Sequence, residues 1–202
     1  MRASFLGRND YTDIAARNAR HEPIDRDADA RRVRIGLRIA PAPHEESAMS
    51  LPRLEEFLHS NHVPYDTMRH PHAFTAQATA ASANISGKEM AKTVMVRLDG
   101  KLAMAVLPAS EWLSLANLRD CAGASEAAIV TESEFKDRFP ECEVGAMPPF
   151  GNLYGMDVYA ADSLAEDEHI AFNAGSHREL MRMDWRDFER LVHPRVAHLS
   201  RQ

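Results

Sequence analysis

Two strongly apolar runs, AKTVMVRL at 91–98 and KLAMAVLP at 101–108, are separated only by Asp99 and Gly100. An Asp-Gly pair between such runs tolerates positive φ at both turn positions and closes a tight antiparallel hairpin. Runs that are apolar on both faces need cover above and below the sheet. The hairpin therefore belongs at the centre of a sheet, and the rest of the chain must supply that cover.

The flanking sequence supplies it with alternating helical and extended patterns. Ser50 stands where it can cap a helix whose Leu51, Leu54, Phe57 and Leu58 share one face. PYDTMRH reads as extended, and Thr75 introduces an alanine-rich helix. Thr131 and Glu134 have capping-box spacing ahead of Phe135 and Phe139, with Pro140 as a stop. MDVYA, HIAFN and HRELMRM are extended runs. Asp184 can then cap DWRDFERLV, with Trp185, Phe188 and Leu191 on one face. Hairpins interspersed with helices predict an α/β domain with a mixed sheet and flanking helices, without an internal repeat.

Residues 1–48 differ: arginine and aspartate alternate without an apolar period, and Pro41, Pro43 and Glu45–Glu46 close the segment. This predicts a disordered extension ahead of a domain over 49–202, with Met49 as an alternative start. A length of 202 residues suits one domain with a tail. The formal charge of −6 argues against broad coating of nucleic acid but leaves local contact with an RNA end open. Cys121 and Cys142, without a CxxC pattern, point to a reducing compartment and to neither zinc nor a disulfide framework. No run has the length or flanks of a membrane span or signal peptide, so a cytoplasmic location without a membrane partner is expected.

Three places can carry chemistry. Lys92 is in phase with Val94, Val96 and Leu98, so its ammonium enters an apolar strand face. It either meets a partner in a pocket or snorkels to water, and spacing alone leaves both readings open. The loop GAMPPFG, residues 145–151, joins two prolines that cannot donate hydrogen bonds to glycines that permit unusual backbone angles. It is either a structural turn or a rigid cradle whose N–H groups face an oxyanion. AGSH, 174–177, reads as a turn through Gly175 and Ser176, followed by a histidine at a strand start. His177 there can orient a substrate, relay a proton or simply end a strand. HPH at 70–72 and HSNH at 59–62 lack the spacing of a zinc site, and no phosphate loop or nucleophile elbow is present. No metal and no cofactor are expected.

Taken in order, AKTVMV, the Asp-Gly hairpin, AVLPAS, GAMPPFG and AGSH resemble the YbaK/ProX (EbsC-like) family over residues 51–200. These are aminoacyl-tRNA deacylases related to the editing domain inserted in bacterial prolyl-tRNA synthetases. The resemblance implies the same mixed-sheet fold and hydrolysis, in trans, of a small amino acid from mischarged tRNA-Pro or a related tRNA. The partners it implies are the tRNA acceptor end and, secondarily, a synthetase. It makes Lys92 and His177 catalytic. It puts His70, Gly145, Ala146, Met147, Pro148, Pro149, Phe150, Gly151, Gly175 and Ser176 in substrate binding. Met68 stands where the cysteine-editing branch carries a tyrosine, and Asn84 stands near an expected histidine. The departure at Met68 puts cysteinyl-tRNA in doubt and favours alanine or another small residue as the group removed. The loop amides 145–147 are the expected oxyanion donors, with Lys92 as a protonated electrostatic anchor. The competing readings are a non-catalytic module that binds aminoacyl-tRNA or a synthetase, and an unrelated small-molecule hydrolase.

Overall fold

The computed structural model describes residues 51–73 and 75–201; the expected extension over 1–48, Met49 and Ser50 lie outside them. The hairpin is central, as its apolar runs require. Strands β2 (Ala91–Leu98) and β3 (Lys101–Pro108) pair antiparallel from Ala91↔Pro108 to Leu98↔Lys101. Both turn residues have positive φ, 45° at Asp99 and 84° at Gly100. The Asp99 carboxylate also accepts from Ser125 and Glu126 N–H, which fastens the turn to the following loop.

Around this pair a five-stranded mixed sheet runs β4-β2-β3-β5-β8, with β4 at Ala127–Ile129, β5 at Asp157–Ala161 and β8 at Arg195–Ala197. The β3–β5 and β5–β8 pairs are parallel. A three-stranded antiparallel sheet is ordered β1-β7-β6, from Asp66–Arg69, Glu179–Asp184 and His169–Asn173 respectively. An isolated bridge, Met90↔Ala171, links the two sheets.

Residue parity explains the runs of apolar sequence. Val96, Leu98, Ala103, Ala105, Leu107, Tyr159 and Ala161 face helix α3 (Leu115–Ala122) and Leu199. Their alternates Met95, Met104, Val106, Val158 and Ala160 face the other way. They join Ile170, Phe172, Met181 and Met183 with helices α1 (Pro52–Ser60) and α5 (Trp185–Val192). Burial on both faces is what a continuous apolar strand demands.

Local signals mostly act where expected. Thr75 accepts from Ala78 N–H at the start of α2 (Ala76–Ser82). Helix α1, by contrast, is capped at Leu51, which is buried and makes no side-chain cap; Pro52 at the first turn starts the helix instead. Asp184 occupies the N-cap of α5 without a capping bond, and its carboxylate lies 3.3 Å from His169 Nε2. α3, β4 and β8 are additions to the sequence reading.

At α4 (Glu132–Phe135) the Glu134 carboxylate accepts from Thr131 N–H at 2.6 Å and pairs with Arg97 at 2.6 Å. The Arg97 and Thr131 hydrogen bonds hold its pKa down to about 2 from an ordinary 4.5. A lowered carboxylate pKa stabilises the fold above the unfolded value and loses that contribution as pH falls toward the folded one. Glu134→Gln should therefore lower the unfolding midpoint at pH 7 and leave it little changed at pH 2, measured by thermal melts across that range.

Candidate active site

The two motifs of the second half of the chain are sewn together. Glu143 N–H donates to Gly175 O at 2.8 Å, and Gly175 N–H donates to Ala146 O at 3.0 Å. His177 N–H donates to the Glu143 carboxylate at 2.6 Å, and its Nε2–H donates to Val144 O at 2.8 Å. Gly175 sits at φ 91°, and a Cβ there would lie 2.8 Å from Leu51 Cγ, so no larger residue fits without movement. The AGSH turn thus fixes where the residues just before the prolines lie.

Beyond the prolines the loop dives inward. Pro148, Pro149 and Gly151 are buried. Phe150 is fully buried, with its ring 5.5 Å from Phe172, 5.6 Å from Phe188 and 6.3 Å from Phe57. A Cβ on Gly151 would stand 2.7 Å from Val158. Phe150 and Gly151 are therefore placed in the core.

A cavity of about 230 Å³ opens where the start of β2 meets this loop. Thr75, Gln77, Lys92, Trp112, Gly145, Met147 and Asn173 are among its lining residues. Lys92 and the loop thus share one space, although 53 positions separate Lys92 from Gly145 in the sequence. The Lys92 ammonium donates to Ala109 O at 3.4 Å and to Glu111 O, and stands 5.1 Å from the Trp112 ring centre. Its aliphatic stem continues the face of Val94 and Val96 at the point where that face reaches the cavity.

The loop amides are unequal. Ala146 is buried and its N–H is committed to Glu143 O at 2.9 Å, which removes it from the expected donor set. Gly145, at φ 87°, directs its N–H to the Met147 sulfur at 3.3 Å, a weak acceptor easily exchanged. Met147 N–H has no hydrogen-bond partner among the described residues. Asn173 carries a buried side-chain oxygen, likewise without a partner.

A family model for the aminoacyl-tRNA editing domain matches residues 70–191, more than half of the chain. The chain belongs to this family. Solved structures agree on the fold. A candidate trans-editing enzyme for prolyl-tRNA synthetase is 18% identical with a TM-score of 0.65, covering 74% of this chain and 96% of its own. The hypothetical protein APE2540, also 18% identical, superimposes with a TM-score of 0.67 over 74% of this chain and 99% of that one. A candidate signal-transduction protein from Marinobacter aquaeolei VT8 matches at 17% identity and a TM-score of 0.59, over 75% of this chain but 31% of the other. Among curated protein sequences none matches this chain.

Within this editing domain the remaining expected residues are not among those that line the cavity, although the His177 ring packs against Gly145. His70 is buried; its Nδ1 donates to Pro71 O at 2.8 Å, and its Nε2 has no hydrogen-bond partner among the described residues. Ser176 is buried and accepts from Arg178 N–H. His177 lies 5.6 Å, ring to ring, from His72. Sequence reading missed Thr75, Gln77, Thr93, Trp112 and Asn173; only the cap at Thr75 carried a signal, and that signal spoke of helix. Among the described residues no three His, Cys, Asp or Glu side chains are grouped to hold a metal, and no helix is long and apolar enough to cross a membrane. Cys142 lies beside the Tyr154 hydroxyl, and burial pushes its pKa up to about 11, so it is a neutral thiol near pH 7.

Burial lowers the Lys92 pKa below its ordinary 10.5, and the Glu111 carboxylate opposes that shift. An NMR titration of Lys92 Nζ should have a midpoint under 10.5, and Glu111→Gln should lower it further. Phe150→Ala should destabilise the fold by roughly 3–5 kcal/mol in denaturant melts, the mark of a core residue rather than a ligand contact.

Proposed function

We propose that this editing domain hydrolyses the ester between a small amino acid and the terminal adenosine of mischarged tRNA, acting in trans on tRNA-Pro or a related tRNA in the cytoplasm. One observation carries the reading: Lys92, with its half-buried ammonium, and Gly145 and Met147, whose amides are weakly committed or uncommitted, line a single small cavity in a chain of this family. A synthetase that charges the same tRNA is a further partner.

The chemistry asks for little more. Water attacks the ester carbonyl carbon, and the carbonyl electron pair moves onto its oxygen. The N–H groups of Gly145 and Met147 serve as donors to that oxyanion, held ready by the prolines behind them. Collapse breaks the bond to the ribose oxygen, which takes a proton as the alcohol. The amino acid leaves as a carboxylate, and one proton passes to solvent. Lys92 stays protonated, anchoring the terminal phosphate or ribose and favouring the developing negative charge. The ribose hydroxyl beside the ester helps to activate the water.

His177 and Gly175 act through the loop as positioning residues, since His177 grips Val144 and Glu143 while Gly175 grips Ala146 and Glu143. Gly145 and Met147 contact the substrate; Pro148, Pro149, Phe150 and Gly151 hold them in place. Ala76, Ala91 and Met147 give the cavity apolar wall suited to a small side chain, while Asn173 offers its unpaired oxygen to the substrate ammonium.

Purified protein should release alanine or another small residue from mischarged tRNA in a panel of alanyl-, seryl- and cysteinyl-tRNAs. Lys92→Ala should lower kcat/KM by about 10²–10³-fold with the fold intact. Tight binding of the panel without release would establish instead the non-catalytic module.

A further inference from the structure

We infer that Trp112 is the stacking platform for the nucleobase of the 3′-terminal nucleotide, a role that rests on the deacylase reading for its place in the reaction. The cavity beside Lys92, about 230 Å³, lies below the roughly 300–1,000 Å³ of pockets that enclose a whole drug-sized ligand. It accepts an aminoacyl group and its ester, and the attached nucleoside must lie along the rim. Trp112 stands on that rim with 62% of its surface exposed. It is the sole aromatic among the large, exposed hydrophobic residues described; the others are Ile129, Val144 and Val196.

The ring is also held in a charged setting. Lys92 Nζ lies 5.1 Å from its centre and the Arg201 guanidinium 6.0 Å. The segment carrying Arg201 is fixed there: Arg201 N–H donates to Trp112 O at 2.9 Å, Ser114 N–H to Leu199 O at 2.7 Å, and Asn117 Nδ2–H to Ser200 O at 3.2 Å. An exposed indole with two cations within about 6 Å of its centre matches what a terminal nucleotide presents, a flat base joined to a phosphate. Stacking reads the flat face of a base without regard to its edge, so the platform supports affinity and leaves amino-acid choice to the cavity.

The chain has two tryptophans, and Trp185 is buried, so an exposed-indole fluorescence change reports on Trp112. Adding the trinucleotide CCA to the full chain should quench emission saturably, and Trp112→Leu should abolish the change. Trp112→Ala should raise KM for mischarged tRNA about tenfold with little change in kcat, and Trp112→Phe, which keeps a ring, should recover part of the loss. Unchanged emission with CCA, or wild-type KM in Trp112→Ala, overturns the inference. Quenching by CCA in a chain that releases no amino acid would uphold the platform and refute the hydrolase, so the two failures are distinguishable.

Discussion

Phe150 is the fastening on which the arrangement of this domain depends. Its ring closes against Phe57 of α1, Phe172 of β6 and Phe188 of α5, so one side chain joins two helices and the smaller sheet. Burying such a ring contributes roughly 1.5–3 kcal/mol, and the two prolines before it leave the chain little freedom to leave. The anchored end lies in the core, while at the other end Gly145 and Met147, tied to the AGSH turn through Ala146 and Glu143, line the cavity. The stiffness of the double-proline loop therefore transmits the position of the core to the amides.

The opposite wall is set by electrostatic cost. Lys92 lies at the end of an apolar strand face, where an ammonium loses water and its pKa falls. The carbonyls of Ala109 and Glu111 compensate by accepting from it. Both carbonyls follow immediately on β3, so the hairpin that sets the sheet also supplies the groups that hold the cation. A charge kept in partial isolation from water acts more strongly on a nearby substrate than one in bulk solvent.

The sequence was most legible where one residue type has one physical use. Asp99-Gly100, the apolar runs around it and the stripe Trp185, Phe188, Leu191 each specify an element, and each forms. α3 was missed because its face rests on Leu118 as the one fully buried side chain, too weak a period to read. β4 and β8 are only three residues long and gain definition from their partners. At the site, Lys92 and the proline loop stood out because both break local rules. Trp112 and Asn173 break none, and their positions on the cavity arise from tertiary packing. Ser50 lies outside the described residues, and Leu51 shows how a buried hydrophobe before a proline can begin a helix without a hydroxyl cap. The commitment of the Ala146 amide was equally invisible, since it depends on Glu143 being drawn toward Gly175.

A structure of the domain with a stable amide analogue of 3′-alanyl adenosine tests the central claim most directly. The analogue's carbonyl oxygen should lie within hydrogen-bonding reach of Gly145 or Met147 N–H, with its ribose or phosphate facing Lys92. An analogue bound elsewhere, with Lys92 still held only by the Ala109 and Glu111 carbonyls, would contradict it.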